Sequence, residues 1–191
     1  MFRYFWTIRG IFYSFFFGSF RFPSYIGRPI FLYGIRKIFI GKNVRIFPNV
    51  RLEVHGKNSL TIGDDVAIGQ NVHITSGSNL RIGNATTILA NVFITSIDHD
   101  YREIGVHILR QKNIISETTI GENCYIGIGA CLQAGTVLGK QCVIGANSVV
   151  RGVFPDYCVI VGAPARVVKR FNLATKKWEK TSADGTFIKT N

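Results

Sequence analysis

Residues 114–150 read IISETTIGENCYIGIGACLQAGTVLGKQCVIGANSVV, and an aliphatic residue recurs at every sixth position of this stretch. The recurring residues are Ile114, Ile120, Ile126, Leu132, Leu138, Ile144 and Val150. This period fits neither an α-helix, which repeats about every 3.6 residues, nor a flat strand, which repeats about every 2. It is typical of a parallel β-helix, in which three six-residue segments close one triangular turn. The sequence therefore predicts an all-β solenoid whose marked aliphatic residues point into the prism.

The same period runs through residues 40–94, and insertions interrupt it. They fall between Leu52 and Ile62, between Ile74 and Ile82, and between Ile94 and Ile114. Each follows three segments, which make one turn, so all are predicted to leave the prism at the same corner. Insertions in a solenoid gather on one face, often the binding face. The longest contains residues 98–113 and is predicted to be a functional loop, because loops longer than about 12–15 residues are otherwise uncommon in compact domains.

The repeats divide the 191 residues into three predicted parts. Residues 40–166 are predicted to stack roughly six to seven turns, spaced like neighbouring strands of a sheet. Residues 1–39 are predicted to be either a membrane-associating segment or a cap on the open end of the prism, because terminal units of a solenoid need covering. Residues 167–191 are predicted to be a short C-terminal extension.

The N-terminal segment is basic and aromatic. No Asp or Glu precedes Glu53, whereas nine Arg and Lys residues do, and fourteen aromatic residues lie within residues 1–35. The apolar run between Arg9 and Arg21 is shorter than the about 20 residues that span a bilayer, and no cleavage site indicates a secretory signal. Residues 2–22 can form an interfacial helix on an anionic membrane, which accounts for the missing acids, or a cap. Nucleic-acid binding is not favoured, because no recognition module is present.

The cysteines are predicted to be core residues and not metal ligands or nucleophiles. They are Cys124, Cys131, Cys142 and Cys158, and they form neither a CxxC motif nor a zinc-binding spacing. Cys124 and Cys142 lie one full turn apart and are predicted to stack as small buried residues. Free core thiols fit a reducing cytoplasm.

Among the four histidines, His99 is the candidate catalytic residue. It lies where a turn leaves for the long loop, and a group at the junction of a rigid strand and a loop is well placed to meet a substrate. Asp98 and Asp100 flank it, and either carboxylate can orient the imidazole. The other histidines are His55 in the first insertion, His73 at the end of a regular segment, and His107 within the loop.

Four stretches also carry a family resemblance. They are ITSIDH at 94–99, IGENCYIG at 120–127, VIGANSVV at 143–150 and VGAPARVVKR at 161–170. With these motifs, residues 40–170 resemble the hexapeptide-repeat acetyltransferases, in particular the galactoside, maltose and bacterial surface-polysaccharide O-acetyltransferases. The resemblance implies a left-handed parallel β-helix, a homotrimer, and an acetyl-CoA groove between neighbouring prisms.

The same resemblance implies roles for individual residues. His99 matches the general base that removes the proton of the attacking hydroxyl. The cofactor-binding residues that it implies are Ile128, through its backbone N–H, with Ala146, Arg151, Arg166 and Lys169. The expected acceptor-binding residues are Asn71, Asp98 and Tyr101, and no metal is expected.

Together these observations predict an acetyl-CoA-dependent O-acetyltransferase that acts on a sugar hydroxyl. The expected setting is synthesis of a bacterial cell-surface polysaccharide (O-antigen, capsule or exopolysaccharide) in the cytoplasm, with the enzyme peripheral on the inner face of the membrane. One alternative is N-acetylation of an amino-sugar nucleotide. Another is a non-catalytic or metal-binding β-helix module.

Overall fold

The computed structural model describes residues 2–188, which form an N-terminal helix (Phe2–Ser14) followed by a three-sided stack of parallel strands. The seven strands of the first sheet are Ser19–Phe20, Ile38–Ile40, Leu60–Ile62, Leu80–Ile82, Thr119–Ile120, Val137–Leu138 and Val153–Phe154. The parallel strands of the second sheet are Tyr25–Ile26, Arg45–Ile46, Ala67–Ile68, Thr87–Ile88, Tyr125–Ile126, Val143–Ile144 and Cys158–Gly162. The third sheet contains Phe31–Tyr33, Arg51–Val54, His73–Ser76, Phe93–Thr95, Cys131–Leu132 and Val149–Val150.

The interior of the prism consists of stacked aliphatic side chains, as the six-residue period predicts. In the first sheet Ile40, Ile62 and Ile82 lie in register on successive turns, and all three are buried. The corners need small or left-handed residues because the backbone of the next turn passes close by. A Cβ added at Gly127, for example, would lie 2.6 Å from the backbone nitrogen of Ala146. The predicted all-β solenoid is therefore confirmed.

The stack begins before residue 40. Strands Ser19–Phe20, Tyr25–Ile26 and Phe31–Tyr33 pair in parallel with the following turn and form a first turn of their own. Residues 1–39 thus contain both a helix and part of the prism. A short 3-10 helix, Ile35–Lys37, connects this turn to the next.

All three insertions leave the prism after a strand of the third sheet, as predicted. They follow Arg51–Val54, His73–Ser76 and Phe93–Thr95. The longest forms a two-stranded antiparallel ribbon, in which Ile97–His99 pairs with Asn113–Ile115. A 3-10 helix, Ile108–Arg110, lies within the loop that the ribbon closes.

The prediction that Ile114 points into the prism is wrong. Ile114 lies on the ribbon opposite Asp98 and keeps 36% of its surface exposed. The count of six residues back from Ile120 is coincidental here, because the chain between them returns from the loop instead of closing a turn.

Antiparallel strands close the C-terminal end of the stack. Ala165–Asn172 folds back on Cys158–Gly162, and Lys177–Lys180 pairs with its outer edge. The predicted extension, residues 167–191, therefore starts within a strand of the second sheet.

Replacing interior and ribbon isoleucines by alanine tests this arrangement. Ile126 is fully buried, so Ile126→Ala is expected to lower the free energy of unfolding by about 2–5 kcal/mol, through lost transfer energy and a cavity. Ile114→Ala, the matched control, is expected to cost less than half of that. Urea unfolding followed by circular dichroism measures both. Equal losses would mean that Ile114 belongs to the interior after all.

Candidate active site

A cavity of about 750 Å³ opens on the outer face of the third sheet, beneath the ribbon. Inward side chains of this sheet fill the prism, so their neighbours along each strand face outward. His73, Phe93 and Cys131 lie in register on successive strands and form one wall. Asp98 and His99, on the ribbon, form the opposite side. The cavity therefore joins a rigid wall to the predicted catalytic loop.

His99 presents an imidazole without hydrogen-bond partners among residues 2–188. It is exposed, and its backbone N–H donates to Oδ1 of Asp98 at 2.9 Å. Its strand pairing with Asn113 fixes the backbone beside the cavity. The ring thus has both nitrogens available for a ligand.

Neither flanking carboxylate orients this ring, contrary to the prediction. Oδ2 of Asp98 accepts from Nη1 of Arg151 at 3.2 Å. Asp100 accepts two hydrogen bonds from the guanidinium of Arg102, at 2.8 Å and 2.6 Å, and this pairing holds the pKa of Asp100 well below its usual range. Nearby arginines are more strongly attracted to these carboxylates than a neutral imidazole is.

The Asp98–Arg151 pair connects the ribbon to the prism. Arg151 directly follows the strand Val149–Val150 of the third sheet. Arg151, which is expected to bind acetyl-CoA, therefore hydrogen-bonds Asp98, which is expected to bind the acceptor and directly precedes His99. The pair is exposed, so its contribution to stability is about 0–1 kcal/mol.

None of the predicted cofactor residues, Arg151 included, lines the cavity. Ile128 and Ala146 occupy the same corner of successive turns, where the N–H of Asn147 donates to the carbonyl of Ile128 at 2.9 Å. Arg166 and Lys169 are exposed on the strand Ala165–Asn172, at the end of the stack. The structure thus brings these residues together in two pairs, separate from His99.

Of the predicted acceptor residues, only Asp98 lines the cavity. Asn71 lies at a corner with φ 58°, and its Nδ2 donates to Oδ1 of Asn91 at 3.0 Å. That position indicates a structural role in a ladder of corner asparagines. Tyr101 lies in the loop with 72% of its surface exposed.

A buried carboxylate that the sequence analysis missed lies behind the cavity wall. Glu53 is 7% exposed. Its Oε1 lies 3.0 Å from Nε2 of His73, its Oε2 lies 3.3 Å from Nε2 of His55, and Arg51 Nε donates to it as well. Burial opposes ionisation of Glu53, but the hydrogen bonds from Arg51 and His73 outweigh it, so the pKa of Glu53 lies below its ordinary value.

This cluster gives the cavity two oriented imidazoles. His55 and His73 both line the cavity. Nε2 of each ring faces the carboxylate of Glu53, and Nε2 of His73 also lies 2.8 Å from the hydroxyl of Thr75; in the tautomer that donates from Nε2 to Glu53, Nδ1 is an acceptor. One sequence signal was available: Glu53 is the first acidic residue of the chain, and a histidine follows it two residues later.

The thiols do not have the character of nucleophiles. Cys124, Cys142 and Cys158 are buried, as predicted for core residues. Contact with Cys142 and burial together raise the pKa of Cys124, whereas hydrogen bonds with Cys124 and Cys158 lower the pKa of Cys142, whose side chain is fully buried. The same prediction is wrong for Cys131, which is partly exposed and lines the cavity; partial burial raises the pKa of its thiol. A reactive cysteine needs a lowered pKa together with exposure to a substrate, and none of the four thiols has both.

Among residues 2–188, no group of three or more His, Cys, Asp or Glu side chains is arranged to hold a metal ion. In the Glu53 cluster, the two imidazoles face different oxygens of one carboxylate rather than a shared empty point.

Known proteins share this sequence pattern and this architecture. A family model described as bacterial transferase hexapeptide (six repeats) matches residues 117–152. The chain is 34% identical over 167 residues to the putative lipopolysaccharide biosynthesis O-acetyl transferase WbbJ of Escherichia coli K12, covering 84% of this chain and 82% of that protein. It is 30% identical over 132 residues to the putative colanic acid biosynthesis acetyltransferase WcaF of the same organism, covering 68% of each.

A solved structure shares the fold. AntD, an N-acyltransferase from Bacillus cereus crystallised with dTDP and 3-hydroxybutyryl-CoA, matches with a TM-score of 0.74 at 19% identity, covering 87% of this chain and 90% of that chain. At that identity the likeness concerns architecture. The sequence relatives carry the assignment further: the chain belongs to the hexapeptide-repeat acetyltransferases and is an acyltransferase, as its repeats and motifs predict.

Proposed function

We propose that this enzyme transfers an acetyl group from acetyl-CoA to a sugar hydroxyl during synthesis of a bacterial cell-surface polysaccharide. The observation that carries the proposal is the imidazole of His99, which has no partner within the described part of the chain and lies at the edge of a cavity of about 750 Å³, a volume that suits a sugar. The relatives named for lipopolysaccharide and colanic acid synthesis support the substrate class. Free thiols and the use of acetyl-CoA favour a cytoplasmic reaction.

The chemistry needs one base and no acyl-enzyme. An alcohol is a weak nucleophile, so neutral His99 takes its proton as the hydroxyl oxygen bonds to the thioester carbon. Negative charge then develops on the thioester oxygen, which needs backbone N–H donors; because Ile128 lies outside the cavity of its own chain, its N–H would act at the site of a neighbouring subunit. When the carbon–sulfur bond breaks, the imidazolium of His99 returns the proton to the thiolate of CoA. Direct transfer of this kind requires no metal.

Exposed cations suit the donor's phosphate groups. Arg166 and Lys169 lie on one exposed strand, and arginine forms paired charge-assisted hydrogen bonds with phosphate. Arg151 extends the positive charge toward the ribbon. Acetyl-CoA laid between these residues would run along the prism from the adenosine end toward His99.

We further propose that the enzyme is a homotrimer with this groove between neighbouring prisms. The loop supports the proposal, because Ile104 and Leu109 are 93% and 74% exposed. Large apolar side chains grouped on one loop usually contact a partner. A neighbouring subunit would cover them and close the open side of the cavity.

For the acceptor, we propose that the Glu53 cluster forms the binding wall. Nδ1 of His55 and Nδ1 of His73 can accept hydrogen bonds from sugar hydroxyls, and Phe93, whose ring lies 5.0 Å from that of His73, offers an apolar face. Glu53 acts through the imidazoles and is therefore a positioning residue.

Replacing His99 tests the base. His99→Ala is expected to lower kcat by about 10²–10⁴-fold, the usual contribution of a positioned general base, measured as CoA release with an envelope glycan as acceptor. The matched control is His107→Ala, on the same loop but outside the cavity, which is expected to stay within about threefold of the wild type because it loses one hydrogen bond, with the N–H of Leu109. A correctly folded His99→Ala enzyme with normal turnover would contradict the mechanism.

The product distinguishes oxygen from nitrogen as the acceptor atom. An acetyl ester is cleaved by mild alkali, whereas an amide survives, so alkali treatment is expected to remove the added acetyl mass. Mass spectrometry before and after treatment measures this. An alkali-stable product would favour the alternative, N-acetylation of an amino-sugar nucleotide.

Replacing Glu53 tests the acceptor wall. Glu53→Gln is expected to raise KM for the acceptor by about tenfold, through loss of a charged hydrogen-bond partner, while KM for acetyl-CoA stays unchanged. Glu117→Gln, at an exposed site, is the control. An equal rise in both KM values would contradict a role limited to the acceptor.

The difference in stability between the wild type and Glu53→Gln is expected to depend on pH. Because the pKa of Glu53 is depressed from 4.5, the wild type's advantage over Glu53→Gln is complete above that pH and is lost as the pH falls through the lower folded value. Thermal unfolding at neutral pH and at about pH 3 measures it. A difference that does not change with pH would mean that Glu53 is not held ionised.

A further inference from the structure

The N-terminal helix, Phe2–Ser14, has one packed face and one bare apolar face. The packed face includes Trp6, whose ring lies 5.8 Å from those of Tyr25 and Phe47, and the buried Gly10. The bare side chains, on the helix and the turn after it, are 52–81% exposed: Tyr4, Phe5, Ile8, Ile11, Phe12 and Phe15. Their spacing of one, three and four residues places them on one side of a helix.

This exposure is not a consequence of anchoring the helix. Trp6 and its neighbours already hold it on the first turn, and polar residues on the outer face would serve that purpose equally well. Contiguous exposed apolar surface on a soluble domain usually marks a contact with another molecule or with a membrane.

The charge around this face identifies its partner. Arg21, Arg28 and Arg36 are exposed on the first turn, and no acidic residue precedes Glu53, which is itself buried against Arg51. The occupant must therefore be apolar and anionic. A second copy docking through the same face would oppose like charges, which disfavours it.

The length of the N-terminal helix shows how it can contact a membrane. A helix of 13 residues is about 20 Å long, shorter than the roughly 30 Å of a bilayer's hydrocarbon core. No helix of residues 2–188 has the length and hydropathy of a membrane span. A short helix with aromatic side chains on one face and arginines beside it suits the plane of the membrane interface.

We infer that the N-terminal helix docks this enzyme on the surface of an anionic membrane, with Phe5, Ile8 and Phe12 in the acyl boundary and the arginines of the first turn at the headgroups. The inference does not depend on the proposed reaction, because it concerns where the enzyme is attached and not which bond it makes.

The test is cosedimentation of the full chain with vesicles of phosphatidylcholine, with or without about 30 mol% phosphatidylglycerol. We expect binding to the anionic vesicles at least about tenfold tighter than to the neutral ones, weakening with added salt. The double variant Phe5→Ser/Phe12→Ser is expected to lose at least about tenfold in that binding.

Two further variants separate the contributions. Arg21→Gln/Arg28→Gln is expected to weaken binding to anionic vesicles alone. The control is Val153→Ser/Leu173→Ser, which removes comparably exposed apolar side chains far from the N-terminal helix along the chain and outside the proposed subunit contact, and is expected to bind vesicles like the wild type. Circular dichroism checks the fold of each variant.

Three results would overturn the inference. Wild-type protein that stays in the supernatant with anionic vesicles excludes it, and so does a Phe5→Ser/Phe12→Ser variant that binds as well as the wild type. The third is a light-scattering result in which the Phe5→Ser/Phe12→Ser variant has a smaller mass than the wild type, together with no vesicle binding by the wild type. That result would mean that a second copy of the chain covers the apolar face.

Discussion

Stacking of aliphatic side chains inside the prism is the constraint on which the rest of the molecule depends. Ile74, Ile94 and Leu132 lie in register on successive strands of the third sheet and are buried. Successive side chains along a strand point to opposite faces of the sheet. The packing of the inward aliphatic column therefore also fixes which side chains face outward. A slip of one residue would send His73 inward and an isoleucine into the cavity. The wall of the candidate active site is thus set by the packing of the core.

The long insertion adds the ribbon and its loop without disturbing this stack. Ile82 and Ile120, on either side of it, pair directly in the first sheet as though the loop were absent. The ribbon carries His99 out over the third sheet, and Gln111 braces the loop by donating to the carbonyls of Glu103 and Val106. The catalytic candidate therefore combines a fixed backbone with a free side chain, which general-base chemistry requires.

Most of the fold could be predicted from the sequence because its period is local and repeated. The first turn was harder to detect, since Phe20 replaces an aliphatic residue and the surrounding aromatics suggest a cap. His99 could be found from its place beside the loop. The Glu53 cluster was harder to find, because its contact with His73 forms between two turns of unequal length and the only local signal was a histidine two residues after Glu53. The partners of Asp98 and Asp100 depended on arginines whose positions only the folded chain reveals.

The first turn of the prism lies between the N-terminal helix and the wall of the cavity. Strand Phe31–Tyr33 pairs with Arg51–Val54, and the ring of Tyr33 lies 5.0 Å from that of His55, which lines the cavity. Neighbouring strands are about 4.8 Å apart, so the wall of the cavity begins within one or two strands of the turn on which the N-terminal helix is packed. A membrane bound by that helix would lie close to the acceptor wall. Glycans carried on lipids would then reach the cavity from the surface to which the enzyme is attached, whereas a freely diffusing sugar would gain nothing from the attachment. The proposed membrane docking and the proposed acceptor site therefore involve neighbouring turns of the prism.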